Sequence, residues 1–508
     1  MKAASNSCFM RLIIVAVVSV PFFGCKAAPR ADAPAAKAGI KALHRVDVDG
    51  TNVNVSTDEY CEVAGRNGAV STGGPESMKA GMTMLVRGGN AFDAAAAVLL
   101  ALSVEQSTKF CFGGEVPIMV YHKRDRIVEV FCGQGAAPEL AELEYFTNAG
   151  GIPSPTSGSA ANATVPGSFH AILTMLADYG TMTFAETAEP AVALLDSYKE
   201  GWQADLARTM RVLVDADRRA RAEGGTREDG IYASIQEFYG YEGAVAKALS
   251  QWCLANGCLI RSDDLASHET LIEMPIAVDY RGYTVYKCDT WTQGAFLLQT
   301  LELLEGYDIS GMSHNSPEYV HLLTEAMKLT LADRDNYYAD PLFAVVPIDE
   351  LLSEDYTEIR RELIDPDHAS LEIRPGDPID LRPLLPADER TPGPQAPIDD
   401  TTTCIVADRW GNIVVATPSG WGGVLAGDTG IWLSSRLSSF NTWEGHPNCI
   451  EPYKRPRITL TPTLVFKEGK PFAAISVAGG DWQDQVALNL FMNVVEFGMP
   501  PGEAVTTP

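Results

Sequence analysis

Three consecutive threonines, at positions 401–403, stand between an acidic, proline-rich stretch and an apolar, β-branched run. A loop that leads into a strand would explain them, because threonine favours strands and its hydroxyl bonds locally. A threonine hydroxyl is also a nucleophile when a base lies beside it. If the chain is cut directly before the threonine, the freed α-amine, which titrates at about pH 8 in peptides, becomes that base. Both interpretations of the cluster, strand entry and self-cleavage, therefore stay open at this point.

The elements around the threonines predict how the cluster is positioned. Residues 364–400 are rich in proline, aspartate and glycine, a composition typical of a mobile segment that would let a new terminus move away. Four apolar runs after or near the cluster predict strands, CIVAD, NIVVAT, TLVF and FAAISVA, with Gly411 and Asn412 as a hairpin turn between the first two.

The N-terminal two thirds of the chain predict mostly helices. Residues 75–88 have helical spacing of apolar side chains, and Asn90 is a good N-cap for the Ala/Leu/Val run that follows. Further helices are predicted over residues 165–250, 295–305 and 317–332. Strand pairs are predicted over 116–132 and 278–288. Along the chain, predicted helices are followed by strands, then by a mixture of both, and then by strands again. This order indicates a layered α+β or α/β sandwich.

Composition excludes several classes of function. The chain has 508 residues and a net charge of -27, which disfavours nucleic acid as a partner because phosphates require a basic face. The eight histidines are scattered, and neither a CxxC array nor an HExxH motif is present. The sequence therefore predicts no metal site and no cofactor.

The N-terminus predicts export. Residues 1–24 carry positive charge and then an apolar run that is too short to span a bilayer comfortably, which is typical of a signal peptide. The run ends before Cys25 and an Ala/Pro-rich stretch, so we expect a lipoprotein: lipidation at Cys25, a disordered tether and lead-in over 25–60, and a periplasmic or cell-surface location. A simple secretory signal is the alternative. In an exported protein some cysteines could pair, and Cys253 and Cys258 lie close in sequence, but spacing alone does not decide pairing.

Motifs along residues 66–508 resemble those of the γ-glutamyltransferase (glutathione hydrolase) family of N-terminal nucleophile hydrolases. The shared motifs occur in family order: GGNAFDA at 88–94, VPG at 165–167, DYRGY at 279–283, LEGY at 304–307, ADR at 332–334, the nucleophile segment 401–412 and KRP at 454–456.

The resemblance implies an αββα sandwich made as one precursor, which cuts itself between Asp400 and Thr401 into a large subunit, 61–400, and a small subunit, 401–508. It implies that Thr401 is the nucleophile and that Ser419 is the second hydroxyl that activates it. Gly479 and Gly480 fall at the oxyanion hole, where backbone N–H groups would meet the developing negative charge. The substrate would be a γ-glutamyl or related small-molecule amide, and the acceptor water or an amine.

The specificity positions depart from the family pattern. The arginine that binds the substrate α-carboxylate is here Gln134, which brings no charge. The carboxylate that binds the α-amine is here Ser439, with Arg436 introduced beside it. The family has two serines after the KRP motif, and here only one hydroxyl remains at that place, that of Thr459. Trp421 stands where the family has an asparagine just after the second hydroxyl residue, here Ser419. These changes predict a substrate without the α-amino acid head group, and Arg436 as a group that could hold an acidic one.

Two further expectations follow from the resemblance. The chain ends at a segment that continues in the family, so we expect a truncated C-terminus and an incomplete small subunit. The alternatives to a γ-glutamyl enzyme are an amidohydrolase or acylase of the same fold with a non-glutamyl substrate, and a catalytically inactive binding lipoprotein that reaches the membrane only through its lipid anchor.

Overall fold

The protein is a four-layer αββα sandwich in a computed structural model that describes residues 13–17, 44–55, 65–386, 400–420 and 423–507. Cys25 and Trp421 lie outside the described residues. The sandwich agrees with the fold class predicted from sequence.

The strands follow one another in this order: β1 (Ile13–Val17), β2 (His44–Val48), β3 (Thr51–Val55), β4 (Gly68–Thr72), β5 (Phe110–His122), β6 (Ile127–Gly133), β7 (Leu271–Glu273), β8 (Ile276–Tyr280), β9 (Tyr283–Lys287), β10 (Cys404–Asp408), β11 (Ile413–Ala416), β12 (Ser419–Gly420), β13 (Val424–Leu425), β14 (Trp432–Leu433), β15 (Thr463–Lys467) and β16 (Lys470–Val477).

The helices are α1 (Pro75–Val86), α2 (Ala91–Glu105), α3 (Leu143–Asn148), α4 (Ser168–Tyr179), α5 (Phe184–Leu195), α6 (Trp202–Ala222), α7 (Arg227–Tyr239), α8 (Ala244–Ala255), α9 (Ser262–Ala266), α10 (Ala295–Glu305), α11 (Pro317–Tyr337), α12 (Ile348–Leu351), α13 (Glu354–Arg361), α14 (Trp482–Val495) and α15 (Pro501–Thr506). A short 3₁₀ helix covers Arg436–Ser439. None of the helices in the described part of the chain is long and apolar enough to cross a bilayer.

Two sheets form the middle layers. The larger runs β13-β14-β5-β11-β10-β4, with β12 and β6 also paired to β5 and β7 paired to β6. The smaller runs β1-β16-β15-β9-β8, and β1 joins β16 in parallel. β1 falls within the predicted signal peptide, and the β2–β3 hairpin falls within the predicted 25–60 lead-in. The predicted export of the chain stays a prediction.

Three apolar clusters hold the layers together. The first lies between the large sheet and helices α1, α2 and α4 to α8, and the second lies between the small sheet and helices α10, α11, α14 and α15. The third fills the space between the two sheets, where Val130, Ile405 and Val415 of the large sheet meet Leu464 and Ala474 of the small one. Each sheet therefore has two apolar faces, as its near-continuous apolar strands require.

Helix α2 anchors the strand that follows the threonines. Asn90 caps the helix as predicted, since its side chain accepts from the backbone N–H groups of Phe92 and Asp93 at 2.9 and 3.1 Å. The backbone N–H of Ala91 donates to the carboxylate of Asp408 at 3.0 Å, and Asp408 is the last residue of β10. A carboxylate is stabilised at a helix N-terminus, so this contact fixes the far end of the nucleophile strand.

Strand β5 starts earlier than predicted and includes Gly113 and Gly114. The sequence predicts that this strand begins near Val116, whereas the structure starts it at Phe110. A side chain at Gly114 would stand 2.2 Å from the carbonyl oxygen of Ser419. Glycine at this position therefore lets β12, which carries Ser419, lie directly against β5.

The proline-rich segment 364–400 is described as far as residue 386. Within that part, Arg374 is buried and donates to Glu325 of α11 at 2.7 Å, and the backbone N–H of Gly376 donates to Asp333 at 2.9 Å. The stretch around these residues is thus packed against α11, which its composition does not indicate.

Candidate active site

The three threonines lie in the interior, just before β10. All three are fully buried, with 0% of their surface exposed. The backbone N–H of Thr401 donates to the carbonyl of Lys109, and that of Thr402 donates to the carbonyl of Pro418, both at 3.0 Å. β10 itself is a central strand between β11 and β4. The segment is therefore held from both sides before the strand starts.

Thr401 has an unusual backbone conformation. Its φ is +75°, in the left-handed region that β-branched residues rarely occupy. Such a conformation costs on the order of 1–3 kcal/mol and persists only where surrounding contacts enforce it. The strain falls on the residue whose preceding peptide bond is the predicted cleavage site.

A hydroxyl–carboxylate cluster surrounds the Thr401 side chain. Its Oγ1 lies 3.2 Å from Oδ1 of Asp400 and 3.2 Å from Oγ of Ser419, so its single proton is shared between two acceptors. Ser419 Oγ donates to the other oxygen of Asp400, Oδ2, at 3.1 Å. The two hydroxyls and one carboxylate form a closed ring. The structure thus brings together two residues predicted for catalysis, Thr401 and Ser419, and the residue before the predicted cleavage site, Asp400.

Arg436 supplies the positive charge of this cluster. Its guanidinium donates to Ser419 Oγ at 2.7 Å, to Asp400 Oδ2 at 3.1 Å and to Glu115 Oε1 at 2.5 Å. Arg436 was predicted as a substrate contact, and in the intact chain it is engaged by these three side chains. Glu115, which is 1% exposed, was missed by sequence reasoning. A lone carboxylate in the apolar strand β5 was the available signal, because carboxylates are rarely buried without a partner.

Burial and pairing set the charge states. Burial raises the pKa of Glu115, and the adjacent guanidinium opposes that shift. Burial works against the charge on Arg436, but the carboxylates of Glu115 and Asp400 outweigh it and hold the arginine pKa above its usual value. Arg436 therefore stays cationic at any working pH and links strand β5 to the residue before the predicted cleavage site.

Gly479 and Gly480 form a turn between β16 and α14. Their φ angles of +126° and +58° suit glycine, and their carbonyls accept from the backbone N–H groups of Trp482 and Gln483 at 3.1 Å. Neither glycine N–H meets an acceptor among the described residues. Ser476, three residues earlier, donates to the carbonyl of Ala416 at 2.9 Å, which brings this end of β16 to the β11–β12 connection. No hydrogen bond joins the pair to Thr401 in the part of the chain that the structure describes.

Gln134 directly follows β6, the strand that pairs with β5, and lies beside the part of β5 that carries Glu115. Gly133 pairs with Val116 of β5, and Glu115, the next residue of β5, pairs with Ser419. Gln134 is 2% exposed, and its side-chain amide nitrogen donates to the backbone carbonyl of Gly135 at 2.9 Å. Its amide oxygen has no partner among the described residues.

Gln134 is one of the residues that line a pocket of about 270 Å³. Asp264, Glu269 and Asp340 contribute carboxylates to the lining. Its one arginine, Arg455, is bound to Asp340 at 2.8 Å and to Glu273 at 2.9 Å. The pocket therefore presents hydrogen-bond acceptors, and its cation is already neutralised.

The other residues predicted to bind substrate, Ser439 and Thr459, make no hydrogen bond to the Thr401 cluster among the described residues. Ser439 is half-buried, and its carbonyl accepts from the side chain of Asn448 at 2.8 Å. Thr459 is half-buried next to the Thr292–Ile458 bridge. Cys253 and Cys258 are free thiols in buried positions. No group of three or more metal-ligating side chains occurs within the described ranges.

Comparison with known proteins decides the family. The family model for gamma-glutamyltranspeptidase matches residues 77–228 and 202–508. The chain belongs to the gamma-glutamyltranspeptidase family. It is 31% identical to the glutathione hydrolase-like YwrD proenzyme of Bacillus subtilis over 85% of this chain and 82% of that protein. The family and its enzymatic character, both expected from the motifs, are thereby confirmed.

The solved structures that this chain resembles include one that is named as an acylase. The structure of LmbA2991HD matches with a TM-score of 0.75 at 32% identity, covering 89% of this chain and 86% of that one. The cephalosporin acylase from Bacillus halodurans matches with a TM-score of 0.70 at 25% identity, covering 88% and 85%. The gamma-glutamyltranspeptidase fold thus accommodates relatives that are named for different amide substrates.

Proposed function

We propose that this chain is a self-processing amide hydrolase or transferase in which Thr401 is the nucleophile. The observation that carries the proposal is the buried ring of Thr401, Asp400 and Ser419 beside a strained backbone at Thr401. Attack of Oγ1 on the carbonyl of Asp400 would break the peptide bond before Thr401 and leave Thr401 as a new N-terminus. The large subunit, 61–400, and the small subunit, 401–508, would stay paired through the shared sheets.

The mature site would use the freed amine of Thr401 as its base. An α-amine at about pH 8 suits proton transfer near neutrality. The hydroxyl would attack the substrate carbonyl, Ser419 would hold that hydroxyl in place, and the free N–H groups of Gly479 and Gly480 would stabilise the oxyanion. Because Thr401 is fully buried in the intact chain, Asp400 has to move away before a substrate can enter.

Substrate selection is the finer part of the proposal. Gln134 offers an unpaired acceptor, and Ser439 offers no charge, so neither group can bind the zwitterionic end of a glutamyl substrate as an ion pair. We therefore favour an acyl group that carries a hydrogen-bond donor at the Gln134 pocket over one that carries an α-carboxylate there. The cephalosporin acylase among the structural relatives supports the non-glutamyl alternative. Once Asp400 departs, Arg436 could bind an acidic group on the substrate.

The test compares three kinds of amide on the purified protein. We expect slow turnover of γ-glutamyl-p-nitroanilide and faster turnover of uncharged or dicarboxylic monoamides. Replacing Gln134 by arginine restores a guanidinium and should improve γ-glutamyl turnover by about tenfold, the lower value for a charge-assisted contact of 1.5–3 kcal/mol. Ordinary γ-glutamyl turnover by the wild-type protein would exclude the altered specificity.

The nucleophile has its own test, with a neighbouring threonine as the control. Thr401→Ala should abolish both cleavage of the chain and turnover, whereas Thr402→Ala should retain cleavage. Intact-mass measurement follows the cleavage. If Thr401→Ala is still cut, the nucleophile is another residue; if the wild-type chain stays whole, the protein is a binding lipoprotein or an unprocessed precursor. We also propose, from the sequence alone, export to the periplasm or cell surface with a lipid anchor at Cys25.

A further inference from the structure

We infer that the side-chain carboxylate of Asp400 is the general base for self-cleavage, so that the precursor carries a base which the reaction itself removes from the site. This inference rests on the proposed role of Thr401. It concerns a step that the mature base cannot perform. Before the cut, the nitrogen of Thr401 is an amide and has no basic lone pair, so the first attack needs a different proton acceptor.

Asp400 is placed to accept that proton. Its Oδ1 lies 3.2 Å from Oγ1 of Thr401, within reach for proton transfer once the contact tightens in the transition state. Its Oδ2 accepts from Ser419 and Arg436, both at 3.1 Å. Among the described residues, Asp400 is the only carboxylate bonded to either hydroxyl, and no histidine contacts them. The cluster is almost dry, since both hydroxyls are fully buried and Asp400 is 7% exposed.

The chemistry closes without any reactant besides water. Asp400 takes the proton from Thr401 Oγ1 as that oxygen bonds to the carbonyl carbon of Asp400. The resulting acid then gives this proton to the Thr401 nitrogen, the C–N bond breaks, and an ester joins Asp400 to Thr401 Oγ1. Water hydrolyses the ester, which frees the hydroxyl of Thr401 and leaves a carboxylate at the end of the large subunit.

Arg436 acts in this step as a positioning residue. It donates to Asp400 Oδ2, so Oδ1 is left for the nucleophile. Glu115 holds the guanidinium from the other side, because its Oε1 accepts from Arg436 Nε. When Asp400 leaves, Arg436 loses one of its two carboxylate partners and retains Glu115. The site then has one cation, one carboxylate and the new amine.

The experiment follows cleavage of newly synthesised full-length precursor over time by intact mass. General base catalysis contributes roughly 10²–10⁴-fold, so Asp400→Asn, which keeps the shape and loses the base, should slow cleavage by about 10²-fold. The matched control is Asp215→Asn on the surface of α6, which removes an equal charge and should cut at the wild-type rate.

A second variant keeps the inference testable if Asp400→Asn does not fold. Asp400→Ala leaves space for a small carboxylate, so added formate should restore part of its cleavage and should have no effect on Thr401→Ala. Asp400→Asn cleaving within twofold of wild type with a new N-terminus at Thr401 would overturn the base and leave the nucleophile intact. Absence of formate rescue in a folded Asp400→Ala protein would also overturn it. Absence of cleavage in the wild-type protein would overturn both proposals.

Discussion

Two buried arginines serve different purposes in this protein. Arg455 is bound by Asp340 and Glu273 and stacks near the ring of Trp291, with its guanidinium carbon 5.4 Å from the ring centroid. Arg436 is bound by Glu115 and Asp400. Both arginines have two carboxylate partners and little exposed surface, and burial works against the charge on both. The pKa of Arg436 is nevertheless raised by its two carboxylates, and that of Arg455 by Cys132 together with Asp340 and Glu273.

The difference lies in what the partners are attached to. The carboxylates around Arg455 lie in segments for which we propose no covalent change. One carboxylate of Arg436 belongs to the residue before the proposed cleavage site, next to a threonine with φ of +75°. A buried ion pair by itself is weak evidence for stability or for function. The Thr401 hydroxyl and the local strain beside the pair are the features on which we propose the second cluster as the site of chemistry.

The largest expected effect is on the stability provided by Arg455. Arg455→Met leaves the carboxylates of Asp340 and Glu273 buried without a cation, which should lower the free energy of unfolding by about 3–5 kcal/mol. Urea denaturation followed by circular dichroism measures this loss. Arg218→Met, at a largely exposed side chain, is the control and should change stability by less than about 0.5 kcal/mol.

Arg436→Met should affect the reaction more than the fold. It removes charge-assisted donors to Asp400 and Ser419, each worth about 1.5–3 kcal/mol, so self-cleavage should slow by roughly 10²-fold. The cost in stability should be smaller than for Arg455, because Arg455 makes two side-chain hydrogen bonds to Asp340 and also lies against the ring of Trp291. Equal losses of stability and equal cleavage rates in the two arginine variants would break the distinction between the clusters.

Substitutions at Ser419 test how much one neutral hydroxyl contributes to the cluster around Thr401. Ser419→Ala removes one neutral hydroxyl that positions Thr401, a loss of about 1 kcal/mol, and should slow cleavage and turnover by roughly fivefold to tenfold. Ser419→Thr restores the hydroxyl and should recover most of both rates. Cleavage time courses and steady-state kinetics measure the effect; an alanine variant as fast as wild type would remove Ser419 from the mechanism.

The smallest effect is a pH dependence near the Arg455 cluster. Burial lowers the pKa of His170 to about 4 and that of His268 to about 3, and His268 lines the pocket that contains Arg455. The unfolded chain takes up protons at these histidines below about pH 6.5, and the folded one does not until pH 4 or lower. The unfolding free energy should therefore fall between pH 7.5 and 5.5, by about 1 kcal/mol for each histidine.

Denaturation of His268→Phe at both pH values checks this contribution. Phenylalanine retains an aromatic ring beside Tyr239, whose ring centroid lies 5.3 Å from that of His268, and removes the titration. The variant should lose less stability on acidification than the wild type. His368→Gln, at an exposed histidine, should lose as much as the wild type. Equal losses in His268→Phe and wild type would show that His268 does not contribute.

Local patterns in the sequence predicted many of the longer helices and strands of the fold. Asn90 caps α2 as expected, and the strands around Thr401 fall where apolar, β-branched runs predicted them. The start of β5 was placed too late because consecutive glycines indicate a loop. Their role, close approach of β12 at Ser419, depends on contacts 300 residues apart in the chain.

The candidate site residues could be chosen from motifs, but the electrostatic contacts around them could not be predicted. The motifs located Thr401, Ser419 and the glycine pair, and the structure brings the first two within 3.2 Å of each other. The ion pair between Arg436 and Glu115 joins residues 321 positions apart, which no local spacing reveals. The φ of Thr401 also could not be predicted, because threonine normally avoids that conformation and only the fold around it enforces it.

The most direct measurement is the N-terminal sequence of the purified protein together with its intact mass. We expect two chains, of which the shorter begins with Thr401 and reads TTTCIV. A single uncut chain, or a second chain that begins at any other residue, would contradict it.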